Sequence, residues 1–468
     1  MAGVSHSQQS SVKVKVRQPK PRTIVLCFDG TANEFCDRAG IGTYFQPGAV
    51  SPLLRTVARV LDQAFAWHLP VHIMDGYTFL MQNYLEGDKV CFFGFSRGAY
   101  TARALAGMLH KVGLLSKDNF EQIPFAYKLY KSSSDKNNKL AVRFKKAYSR
   151  DVPIDFLGVW DTVASTGILK SRTLPFVGTN DTIRIFRQAL SLDERRAKFL
   201  PNSYHRPVTD LGPQSLQTLP PLRRFIANAK FISKGRKRIR DTPNTARQNN
   251  ESNERVREVW FAGSHSDVGG GHSDDTELYM LSNISLRWMI REIMKTESPV
   301  QFDDTAFEQW KTTFERAPLA REESDATLNN DDPPPGNLKV TSLDEGDVVT
   351  IREASTLGKS SITLARTPSL PPPTFIKRSL DDCDAVEKMG DALRSNIFWW
   401  LLEIIPTYYE WQDENGKWIG EWSIRLGRGR KLPTRPVFHE SVRTRMNDPL
   451  LNYSPRARYE EKSEIYED

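Results

Sequence analysis

The chain has 468 residues, 39% hydrophobic and 26% charged, with a net charge of +8, a balance that fits a folded protein with a substantial core. It excludes a collagen-like, low-complexity or membrane-embedded chain, since the longest apolar run, Ile397 to Leu402, is far too short to span a bilayer. Four cysteines (Cys27, Cys36, Cys91, Cys383) lack metal-site spacing, so neither a zinc module nor a disulfide scaffold is expected, and a reducing, intracellular setting is.

Residues 1–21 are polar and basic without an apolar signal-peptide core, and read as a disordered tail. Thr23 to Phe28 is a continuous apolar run of the kind that forms a buried parallel strand. It ends in Asp29-Gly30-Thr31. Ligands in parallel sheets sit just past the carboxyl ends of strands, so this loop is a site candidate, although an ordinary Asp-Gly turn explains it equally simply. Leu53 to Phe65 and Asp75 to Tyr84 carry helical apolar spacing, with His68 and His72 between them as packing or surface histidines.

Val90 to Phe93 is a second strand, followed by Gly94-Phe95-Ser96-Arg97-Gly98. Tyr100, Ala104, Leu105, Met108, Leu109 and Val112 then form a helical stripe. A Gly-x-Ser-x-Gly between a strand and a helix is the setting of a nucleophile elbow. The turn is tight enough to require small flanking residues. It exposes the serine oxygen at the sheet edge, beside the free N–H groups of a helix N-terminus.

Phe120 to Tyr148 reads as polar and helical, and Ile154 to Trp160 as a third strand. Asp161 stands at its end, where a carboxylate can orient a histidine or merely cap a turn. Leu190, Leu192 and Phe199 suggest a helix through Arg195, Arg196 and Lys198. Residues 201–256 are rich in Pro, Arg and Asn. Lys234 to Arg240 is a dense basic cluster without interleaved aromatics, which favours a solvated loop over a nucleic-acid site.

Val259 to Ala262 is a fourth strand, with His265 in the loop beyond it and Gly269 to Gly271 permitting close backbone approach. Ser96, Asp161 and His265 thus follow the order nucleophile, acid, base, each just past a strand. Asp267 is a competing orienter and His272 a competing base. Leu278 to Lys295 is helical. The region between the Asn329–Pro335 and Leu370–Pro373 stretches is a disordered linker or long loop. Beyond it, Phe398 to Trp422 is aromatic-rich and is followed by a basic run, Arg425 to Lys431. This segment either covers the main domain or makes a peripheral membrane contact. His439 has no assigned role.

Four stretches taken together resemble one family: Cys27 to Thr31, Phe93 to Arg103, Val159 to Val163 and Trp260 to Gly271. They look like the α/β-hydrolase family, largely uncharacterised and with a fungal branch, that includes the type VI secretion phospholipase effectors. The resemblance covers residues 22–295. It implies a mostly parallel sheet with helices on both faces, and Ser96, Asp161 and His265 acting on ester bonds of lipids. In such a site the Arg97 N–H and the loop of Asp29, Gly30 and Thr31 would form the oxyanion hole. One departure stands out. Glu34 to Arg38 runs almost directly into Gly40 to Thr43, where family members carry an additional helix and strand. The missing strand would flank the first strand and leave its edge exposed, while the strands carrying Ser96, Asp161 and His265 would remain neighbours.

The domain expectation is a tail (1–21), a catalytic domain (22–320), a linker (321–375) and a C-terminal segment packing on that domain (376–468). The activity expected is serine hydrolysis of carboxylic esters, of lipids or small acyl esters, in the cytoplasm and through an acyl-enzyme. No cofactor, metal or nucleic acid is needed, although Asp29 and Asp267 are the carboxylates to consider for a cation. Two rivals remain: a hydrolase-fold binding scaffold without catalysis, and a basic protein binding anionic surfaces through Lys234 to Arg240.

Overall fold

The computed structural model describes residues 21–30, 69–163, 174–205, 255–273, 277, 279–308, 379–412 and 418–468. Seven parallel strands form one sheet whose spatial order follows the chain. They are β1 (Thr23–Phe28), β2 (Lys89–Phe95), β3 (Ile154–Trp160), β4 (Ile183–Ser191), β5 (Val256–Phe261), β6 (Val437–His439) and β7 (Ile465–Glu467). The near-continuous apolar composition of β1, β2 and β3 is what a sheet covered on both faces demands. Phe93 pairs with Gly158 across β2 and β3, and a Cβ on Gly158 would lie 2.8 Å from Met289 of helix α6 (Leu281–Lys295). The alternate residues Val90, Phe92, Leu157 and Val159 pack instead with helix α2 (Ser96–Val112). Helices therefore cover both faces, and the fold is α/β as expected.

Helix α1 (Leu69–Asn83) completes the cluster around α2. The polar stretch after α2 divides into α3 (Ile123–Lys131) and α4 (Asp135–Tyr148), because the Ser134 side chain accepts the Asn137 N–H and starts a new helix. Among the described residues β1 pairs only with β2, so it forms an edge of the sheet. The shortened Glu34–Gly40 region, the helix expected at Leu53 to Phe65, the Lys234–Arg240 cluster and the whole linker lie outside the described residues.

Two expectations are corrected. Residues 183–191, not read as regular structure, form β4, so the strands carrying Asp161 and His265 are not neighbours: β4 lies between them. The helix expected through Leu190 to Phe199 is absent, because Leu190 belongs to β4 and the chain beyond it turns without helical structure. The cause is the polar content of β4. Buried Arg187 donates to Glu292 at 2.6 Å, and Gln188 donates to Glu258 at 2.7 Å. Satisfied in this way, they sit in an interior strand without the cost of an unpaired polar group.

The chain divides into two compact units, residues 1–301 with 384–468, and residues 302–383. The first holds the whole sheet. In the second, the Phe302 and Phe307 rings stack at 5.6 Å, and Ser379 caps the turn that carries Asp382. No described helix is long and apolar enough to cross a membrane.

Candidate active site

The β2–α2 turn is the starting point. Ser96 is the first residue of α2 and has φ +59°, a left-handed conformation that a side chain rarely adopts. The glycines that flank it are required by contact. A Cβ on Gly94 would stand 2.7 Å from the Gly98 carbonyl oxygen, and one on Gly98 would stand 2.1 Å from the Phe28 carbonyl oxygen. The helix thus abuts the end of β1. Gly98→Ala must displace α2 from that backbone. The expected result is a lower unfolding temperature for Gly98→Ala, measured by thermal denaturation beside the wild type.

The strand register brings the next residues to the same carboxyl edge. Phe95 pairs with Trp160, and Trp160 with Ala189. Asp161 follows at φ +41° and Ser264 opens the short helix α5 (His265–Gly269), so His265 is a helix residue rather than the loop residue expected. Ser96, Asp161 and His265 are all buried. His265 Nε2 lies 2.7 Å from Ser96 Oγ, and its Nδ1 lies 2.5 Å from Asp161 Oδ2. The Phe95 ring lies 4.6 Å from the imidazole and also fills the space where a Gly269 side chain would stand. Phe199 also packs edge-on against the imidazole, at 4.9 Å.

Electrostatics suit a base. Burial lowers the basicity of His265 and the Asp161 hydrogen bond recovers only part of it, so the imidazole is neutral at physiological pH and can accept a proton. Burial alone would raise the Asp161 carboxyl, but the Arg430 charge and the hydrogen bonds from His265 and Arg430 hold it well below the usual aspartate range. Glu194 behaves alike. Burial opposes its charge, yet its ion pair with Arg196 at 2.8 Å brings it down to about 2.

Arg430 is the residue that the sequence did not single out. It binds Asp161 through two parallel hydrogen bonds of 2.6 and 2.8 Å. It lies in the basic run Arg425 to Lys431, where Arg425 and Arg430 are both buried.

The remaining candidates separate. Gly30 lies beside Ser96, since a Cβ on it would be 3.5 Å from the serine Cβ, and the Arg97 N–H belongs to the first turn of α2. Thr31 lies outside the described residues. Asp29 is exposed and its carbonyl faces Gly98. Asp267 is occupied elsewhere: it accepts the Ser264 N–H at 2.7 Å, closing a capping box on α5, and the Gly390 N–H at 2.9 Å. His272 is partly exposed, and its Nε2 stands 4.0 Å from Asp267. His439 caps helix α7 (Glu440–Asn447) and stacks on Phe261. Among the described residues no group of three or more His, Cys, Asp or Glu is arranged to hold a metal ion.

Residues 37–292 match the family model described as T6SS, Phospholipase effector Tle1-like, catalytic domain. The Uncharacterized protein YEL023C of Saccharomyces cerevisiae is 29% identical over 544 residues, an alignment covering 90% of this chain and 78% of that protein. Two solved structures are also similar. One is an uncharacterized protein from Pseudomonas aeruginosa, at 19% identity and a TM-score of 0.25, with 54% of this chain and 29% of that one covered. The other is the Tle1 effector bound to the VgrG spike of the Type 6 secretion system, at 19% identity and a TM-score of 0.21, covering 47% and 34%. The match spans about a third of the length of those two solved chains.

Proposed function

The chain belongs to the Tle1-like phospholipase effector catalytic-domain family, and on that premise we propose that it is a serine hydrolase cleaving carboxylic ester bonds of lipids. The observation that carries the reading is the unbroken row from Ser96 Oγ through His265 to Asp161, with steps of 2.7 and 2.5 Å. His265 Nε2 takes the Ser96 proton as Oγ attacks the acyl carbonyl. The oxyanion that forms accepts hydrogen bonds from the Arg97 N–H and from the Gly30–Thr31 loop. The alcohol leaves with the proton from His265 and an acyl-Ser96 ester remains. Water, deprotonated by His265, then releases the carboxylic acid. Asp161 keeps the Nδ1 proton in place and stabilises the imidazolium.

The test is release of fatty acid from phosphatidylcholine vesicles, with Ser96→Ala as the control. Release that depends on Ser96 supports the reading. Folded protein with no hydrolysis of vesicles or of short acyl esters would point instead to a binding scaffold.

The C-terminal segment favours a lipid over a freely diffusing ester. Trp399 and Leu402 are buried with Phe199, while Ile397, Leu401 and Ile404 point outward and are 76%, 59% and 58% exposed. Their i, i+4, i+7 spacing places them on one face, and no charged side chain interrupts it, since Glu403 is fully buried. Such a face suits the boundary between headgroups and acyl chains. Leaving one large apolar side chain in water rather than lipid forgoes about 1.5–3 kcal/mol. Ile397→Glu with Leu401→Glu should therefore lower vesicle hydrolysis by roughly 100-fold or more, with hydrolysis of a soluble ester unchanged. Equal losses on both substrates would contradict the assignment of this face.

A further inference from the structure

We propose that Arg430 is a positioning residue of the Ser96 site, one that locks the Asp161 carboxylate in the orientation His265 requires. The inference rests on the serine-hydrolase reading above and adds to it a part for the C-terminal segment.

The hydrogen-bond pattern carries the argument. Each Asp161 oxygen accepts from two donors. Oδ1 takes the Ser191 N–H at 3.0 Å and Arg430 Nη1 at 2.6 Å, while Oδ2 takes His265 Nδ1 at 2.5 Å and Arg430 Nη2 at 2.8 Å. With both oxygens doubly engaged, the carboxylate cannot rotate without breaking a bond. The guanidinium is itself anchored. Nη1 donates to the Ser191 carbonyl at 2.9 Å and Nη2 to the Phe199 carbonyl at 2.6 Å. Ser191 ends β4, and Phe199 is the residue whose ring supports His265. Arg430 therefore ties three walls of the site together through a planar fork that lysine cannot reproduce. Stability alone is a weak reason for a buried ion pair of this kind, since apolar replacements of both partners are often neutral or better. Its placement against the acid member of the row gives it a reason to be there.

The charge of Arg430 also sets how strongly Asp161 attracts a proton to His265. The charged groups that act on the imidazole are Asp161, Arg196 and Glu194, and Arg430 partly offsets the first. Removing that positive charge strengthens the pull on the imidazolium. His265 must be neutral to act, so the acid limb of the rate profile moves to higher pH.

The experiment compares Arg430→Gln, Arg430→Lys and Ser96→Ala on a soluble ester across pH, with thermal unfolding measured alongside. Arg430→Gln should lose on the order of 10²-fold in kcat, keep KM within about threefold because the residue is not placed to touch substrate, and shift its acid limb upward. Arg430→Lys should lose kcat while its acid limb stays near that of the wild type. Folded Arg430→Gln with wild-type kcat and acid limb would overturn the proposal. If the glutamine variant does not fold, the lysine variant decides, and wild-type kcat there overturns it equally. Ser96→Ala separates the two claims. If it stays active, the serine reading fails, whereas if it is inactive beside a fully active Arg430 variant, the Arg430 inference alone fails.

Discussion

Ser96→Ala should lower kcat for ester hydrolysis by about 10⁶-fold, the scale seen when the nucleophile of a serine triad is removed. The substitution deletes one buried oxygen and its hydrogen bond to His265, leaving the flanking glycines and the imidazole in place. The lost hydrogen bond costs only about 1 kcal/mol of stability. Alanine also tolerates φ near +59° little worse than serine does, so thermal unfolding should stay close to that of the wild type. Loss of activity without loss of fold distinguishes a missing nucleophile from a collapsed site. Kinetics on a soluble ester and an unfolding curve, taken on the same preparation, check both halves.

Asp161→Asn is the second large effect, expected at about 10⁴-fold in kcat, and here function and stability fall together. The amide no longer holds the imidazole with its proton on Nδ1, so Nε2 is no longer the basic nitrogen facing Ser96. It also leaves the buried Arg430 guanidinium without its counter-charge. Breaking a buried pair by removing one partner costs about 3–5 kcal/mol, so the unfolding temperature should drop as well. A pH signature accompanies this. The folded-state pKa values of Asp161 and Glu194 lie below their ordinary values, so each contributes stability that is complete above the unfolded carboxylate range. That contribution is lost as pH falls from about 4.5 toward the folded values. Wild-type stability should therefore decline through this window, and Asp161→Asn should decline less steeply. Chemical denaturation at several pH values measures both slopes.

The parts of the site that rest on local chemistry could be read from the sequence. Gly94 and Gly98 announce the elbow because no side chain fits against the Gly98 backbone or the end of β1. Asp161 and His265 could be placed just past strand ends because the apolar runs Ile154 to Trp160 and Val259 to Ala262 read as strands. What escaped depends on partners distant in sequence. The strand Ile183–Ser191 is studded with Arg184, Arg187 and Gln188, and it looks like a strand only once Glu292 and Glu258 are seen to satisfy the two buried ones. Arg430 lies 269 residues from Asp161 among other basic residues, and nothing local marks it as buried. His265 reads as a loop residue because a five-residue helix holds too few residues to show a period.

Labelling of the purified chain with a fluorophosphonate, followed by peptide mapping, tests whether Ser96 is an activated nucleophile. One adduct is expected, on Ser96, that forms rapidly in the wild type and is lost in both Ser96→Ala and His265→Ala. Folded wild-type protein that takes up no label, or label that maps to another residue and persists in Ser96→Ala, would contradict it.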